Sequence, residues 1–280
     1  MTKILTINPA GTWSEKEKNI FRFFFLFFII QGLPLSVDIF KAVFGINWFH
    51  ISYGDIFNIT RLSAKFIPGA DNFINWIIIA VLAVVGSVIW SRSKHKDQDY
   101  STLYYWLRVV VRYRLAIGII GYGFIKFFPL QAPFPSISNL NTSYGDFNDW
   151  KIFSMSLGIV PNYESFLGSI EIIAGILLFF RKTATIGALI ILVFTGNVFI
   201  SNLAYDGGEY VYSIYLVTFA LFVLSFDALR IYNLVSLERP TEPNKLKPEL
   251  TSRQRTIRLV VKTLVIFFFC FAAWFKVSAV

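Results

Sequence analysis

The chain has 280 residues, of which 55% are apolar and only 15% charged, and its mean hydropathy is +0.59. A soluble domain carries about 25% charged residues, and one core of this size cannot hide so much apolar surface. The composition therefore specifies a polytopic membrane protein and excludes a disordered, collagenous or disulfide-stapled chain. The net charge of +9, from 26 Lys+Arg against 17 Asp+Glu, belongs in such a chain to loops that set orientation, not to a nucleic-acid surface.

A spanning helix needs roughly 20 mainly apolar residues, and seven segments qualify. The first is about 19–44, with FRFFFLFFII at 21–30 and Pro34 as a kink or an end. The second is 73–90, the third 105–128 and the fourth 163–180. The fifth, 183–205, is joined to the fourth by Arg181-Lys182 alone, which predicts a tight antiparallel hairpin. The sixth is 209–228 and the seventh 257–276. The first dozen residues lack the features of a signal peptide, so the first helix reads as a retained anchor.

Charge orients these spans. With the N-terminus in the cytoplasm, the inside segments 1–22, 91–104, 181–182 and 229–258 carry 16 basic residues, against 6 on the outside segments. That asymmetry supports seven spans, N-terminus inside and C-terminus outside. The outer loop 129–162, with Pro129, Pro133, Pro135 and Pro161, reads as a structured cap.

One cysteine, Cys270, and two histidines, His50 and His95, exclude an internal disulfide, a CxxC pair and a Cys/His metal cluster. Chemistry must come from polar residues inside the spans, where each is costly and so a functional candidate. Glu171 lies eight residues from Tyr163 at the outer end of the fourth span, about 12 Å deep. Gly168 and Gly175 share its helical face, so the carboxylate points to where another helix approaches closely. Depth matching brings Glu171, Asn197, Tyr122, Lys126 and Tyr215 to one level in the outer half. Two readings stand. Apolar walls with a few donors form a site for a lipophilic head group such as a quinone; or these groups hydrogen-bond each other and lock the helices, with Arg114 and Asn202 as further structural polar residues. Arg108, Arg112 and Arg114 read either as an anionic-lipid site or as residues snorkelling at the inner interface.

RYRLAIGIIGYGFIKFFPLQ, FLGSIEIIAGILLFFRKTATIGALI and NVFISNLAYD resemble the DoxX/DoxD-like integral membrane proteins. The likeness covers about 105–235 and is similar to longer Bacteroidota members that add helices on both sides. It implies an all-α protein of the bacterial inner membrane. A two-helix extension (1–104) precedes a DoxX-like four-helix bundle (105–235), and a cytoplasmic linker with a seventh helix (236–280) follows. It places Glu171 on the family's glutamate position and Arg114 and Lys126 on its basic positions. It further implies a quinone-linked membrane redox subunit. The rival expectation is a non-enzymatic scaffold that anchors an envelope partner on the extracytoplasmic side.

Overall fold

A computed structural model describes residues 13–33, 37–47, 53–61, 63–67, 72–93 and 99–242, with ten more between 252 and 267. The described residues form helices and no strands. In chain order the helices are α1 (Glu15–Gly32), α2 (Val37–Phe44), α3 (Tyr53–Thr60), α4 (Phe73–Arg92) and α5 (Tyr100–Phe127). There follow α6 (Ile137–Leu140), a 3-10 turn at Tyr144–Asp146, α7 (Asp149–Gly158), α8 (Pro161–Leu178), α9 (Ala184–Ala204), α10 (Tyr210–Ser225) and α11 (Ala228–Val235).

Side chains start these helices. Ser14 and Glu17 form a capping box on α1, Asn72 caps α4, and Asp99 accepts from the amides of Ser101 and Thr102 on α5. The Thr102 hydroxyl beside Asp99 holds its carboxyl below the usual range, so the cap is ionised at neutral pH and weakens as the pH falls through that lowered value. Pro161 occupies the first helical position of α8, where its missing N–H is harmless.

α5 is the central helix. It packs against α8, α10, α1 and α3; α9 packs against α8 and α10, and α1 against α4. Thus α5, α8, α9 and α10 close a ring of four, with α1 and α4 laid on its side. The core runs along α5 through Leu107, Val111, Leu115 and Ile119, faced by Phe28, Tyr215 and Phe219. The outer surface is apolar too. On α4, Ile77, Val81, Val85 and Ile89 are all exposed, and on α9 so are Ile186, Val193 and Ile200. Such a continuous apolar face suits lipid rather than water.

Among the described residues two helices, α4 and α9, are long and apolar enough to cross a membrane, or three if α10 and α11 count as one span broken by a 71° bend. The seven predicted spans meet the structure unevenly. Those at 73–90, 105–128, 163–180 and 183–205 coincide with α4, α5, α8 and α9. The first, 19–44, is not continuous: α1 stops at Gly32, and Leu33 adopts the extended backbone that a residue before proline favours. The sixth ends at the bend. The seventh, 257–276, falls largely outside the described residues. The loop 129–162 is a structured cap, as expected. A Cβ at Gly158 would touch the carbonyls of Ala132 and Pro133 at 2.5 and 2.6 Å, so the loop's two arms meet, and Phe153 stacks on Tyr205 with centroids 4.6 Å apart.

Candidate functional site

The α5–α8 crossing places the first polar pair. Gly123, Gly168 and Gly175 let the two backbones come together: a Cβ at Gly123 would lie 3.0 Å from the Gly168 carbonyl, and one at Gly175 would meet Ile119 at 2.9 Å. The face expected from Gly168, Glu171 and Gly175 is therefore the contact face, and α5 is the helix that approaches it. Across this contact Lys126 Nζ donates to Glu171 Oε1, with both side chains buried. Glu171 Oε2 has no hydrogen-bond partner. Two turns toward the loop, Glu164 Oε1 accepts from the amides of Gln131 and Ala132 at 3.1 and 3.2 Å. Ser165 Oγ donates to the Phe127 carbonyl at 2.8 Å. These bonds tie the cap to the end of the crossing.

Tyr122 and Tyr215 belong to a second set, between α5, α10 and α3. Tyr122 stacks on Tyr212 and Tyr212 on Tyr215, with centroids 5.4 and 5.3 Å apart. Tyr122 Oη donates to Glu209 Oε2 at 3.0 Å, and Arg61 Nη2 donates to Glu209 Oε1 at 2.6 Å. Glu209 is itself held by its amide, which donates to Asn202 Oδ1 at 3.2 Å. Asn202 also donates to the Val198 carbonyl, so it closes the α9–α10 turn. Arg114 Nη1 donates to the Thr60 carbonyl at 2.9 Å, and its guanidinium lies 5.5 Å from the Tyr215 ring centroid. Tyr215 Oη donates to the Gln31 carbonyl at 3.3 Å.

Beside Tyr215 lies a cavity of about 10 Å³ lined by Gln31, Ser63, Asn75, Trp76 and Tyr212. That is room for about one water molecule. The Gln31 Nε2 donor is buried there without a partner.

The level expected from depth therefore splits. Lys126 and Glu171 meet each other, while Tyr122 and Tyr215 join Arg61, Glu209 and Arg114. The expectation that Asn197 faces the bundle is corrected: its side chain is exposed, on the opposite side of α9 from the buried Thr195 and near-opposite Asn202. Successive residues on a helix turn by about 100°, so depth fixes height but not direction. Snorkelling of Arg108 and Arg112 is corrected as well. They are 5% and 7% exposed, and Arg108 pairs with Asp227 at 3.2 Å. Sequence reasoning missed Arg61, Glu209, Glu164 and Gln31. Glu209 carried a signal, an acid at the start of a span; Arg61 sits in a loop without periodicity and carried none.

Chemically, the two sets offer ion pairs within the chain and stacked phenol rings, with an acceptor at each of Glu171 Oε2 and Glu164 Oε2 and a donor at Gln31 Nε2 left over. No family model, curated protein or solved structure matches the chain.

Proposed function

We propose that this chain is a multi-pass protein of the bacterial inner membrane, built around a DoxX-like bundle of α5, α8, α9 and α10, and that it serves as a non-enzymatic scaffold or anchor in an envelope complex. One observation carries this reading: Lys126, Glu171, Tyr122 and Tyr215 each engage another residue of the chain. Buried polar groups satisfied in this way fix how helices pack and leave little for a ligand to displace.

A second reading rests on the leftover atoms. Glu171 Oε2 and Gln31 Nε2 are buried and unpartnered, and unsatisfied buried groups call for an explanation. A quinone or other lipophilic carbonyl compound is the ligand this reading names. Titration separates the two. A short-chain menaquinone or ubiquinone analogue is added to folded protein in detergent, and quenching of the tryptophans is followed. The scaffold reading expects no saturable quenching. Saturable quenching that is lost in both Glu171→Gln and Gln31→Leu would overturn it and establish the ligand site.

Topology has its own expected result. The basic-residue asymmetry puts 129–162 and Val280 outside the cell membrane and 91–104 and 238–255 inside. In spheroplasts of a Cys270→Ser strain, Ser143→Cys is expected to react with an impermeant thiol reagent, and Ser252→Cys only after permeabilisation. The reverse pattern sinks the orientation.

A further inference from the structure

The chain turns out of the bundle at Phe226. α10 packs lengthwise on α5 and α9, and α11 begins three residues after α10 ends, at 71° to it. α11 therefore lies about 20° from the plane perpendicular to α10. The elbow is held. Asp227 Oδ2 accepts from Arg108 Nη2 at 3.2 Å and from Thr185 Oγ1 at 2.7 Å, and the Arg108 guanidinium covers the Phe226 ring at 3.8 Å. Asp227 and Arg108 are both buried. The direction of α11 is thus set by α5 and α9 through an ion pair, not by a loose joint.

The helix beyond the elbow has two faces. Its sequence ALRIYNLV puts Arg230 and Asn233 together on one side at the i, i+3 spacing. Ile231 turns back onto the core. Leu229, Tyr232 and Val235 are 52%, 54% and 74% exposed and share the other side, while Leu234, 46% exposed, flanks Arg230. The Thr185 bond sets the elbow beside the α8–α9 turn, where Arg181 and Lys182 precede Thr183, the N-cap residue of α9. One end of the bundle therefore carries an exposed apolar helix face next to a basic rim. Large apolar side chains with a charged opposite face, lying across a bundle axis, match the form of an in-plane interfacial helix. Basic residues at that level complement anionic headgroups.

We propose that α11 is an interfacial helix seated on an anionic phospholipid surface. Leu229, Tyr232 and Val235 enter the acyl boundary, and Arg230, with Arg181 and Lys182, meets the headgroup phosphates. The proposal rests on the membrane reading of the bundle, and its test keeps the two apart. Spin labels are placed singly at positions 229–235 of the full chain carrying Cys270→Ser, reconstituted in vesicles of phosphatidylcholine with phosphatidylglycerol. A further label at Val85, exposed on α4, reports the bundle. Oxygen accessibility is expected to peak at 229, 232 and 235, about 5–10 Å below the phosphates, while a water-soluble nickel chelate peaks at 230. Oxygen accessibility at 232 is expected to fall when phosphatidylglycerol is omitted. An aqueous Val85 label overturns the membrane reading itself. A deep Val85 label with 229, 232 and 235 in water overturns the interfacial helix and leaves the face to a soluble partner. Depth that rises steadily from 229 to 235 overturns it in favour of a continuing span. Accessibility at 232 that ignores lipid charge overturns the headgroup contact.

Discussion

Lys126→Met is expected to lower the stability of the folded chain by about 3–5 kcal/mol, the usual cost of removing one partner of a buried ion pair. The substitution strands the Glu171 carboxylate between α5 and α8, where the helices are too close for water to reach it. Glu171→Leu removes the charge and refills the space, so it is expected to cost less than Glu171→Ala, which also leaves a void. The decisive variant is the double, Lys126→Met with Glu171→Leu. Replacing both members of a buried pair by apolar groups is often neutral or stabilising, so the double is expected to be clearly more stable than Lys126→Met alone. Thermal unfolding in a mild detergent, followed by circular dichroism, measures all four. A double variant that loses as much as the two singles added together would show that the charges contribute separately and that the pair is no unit.

The same pair shows what the sequence could reveal. Its polar face was legible because three signals coincided on α8: a carboxylate and two glycines at helical spacing. The starts of α1, α4 and α5 were legible for the same kind of reason, since Ser14, Asn72 and Asp99 are cap residues in front of long helices. Asn197 was misplaced because α9 is apolar almost all round, which hides the direction of its core side. A subtler signal was present. Ala184, Ala188, Ile191, Thr195 and Asn202 are buried and follow a helical stripe of mostly small or polar residues. Asn197, two residues past Thr195, points the other way. Arg61 and Gln31 meet the tyrosine stack only through tertiary packing, one from a segment that lacks periodicity and the other from the last turn of α1, and no local pattern announces that. The bend after α10 is a further case. The end of the sixth span near 228 was legible, but the 71° turn there into a further helix, with Asp227 bonded to Arg108 and Thr185, depends on partners distant in sequence.

Gly168→Ala is expected to be as damaging as the loss of Lys126, although it adds one methyl group. A Cβ at Gly168 would stand 2.5 Å from the Gly123 carbonyl oxygen, 2.9 Å from the Lys126 carbonyl carbon and closer still to the Phe127 amide nitrogen. These are backbone atoms of α5, so no side chain can rotate away and the two helices must separate. Overpacking typically costs about 1–3 kcal/mol, and here the separation also pulls Lys126 from Glu171, which places the expected loss at the upper end of that range or beyond. Gly196→Ala is the matched control. A Cβ at Gly196 would meet nothing within 4 Å, and alanine is the better helix former by about 1 kcal/mol, so that variant is expected to be neutral or slightly more stable. The two effects of Gly168→Ala can be separated by combining it with the charge-free pair Lys126→Met/Glu171→Leu. In that background only the steric cost remains, so the alanine is expected to destabilise less than it does in the native chain. An equal loss in both backgrounds would mean that the helices part without disturbing the ion pair, and that the close crossing and the buried charges are independent features of the bundle.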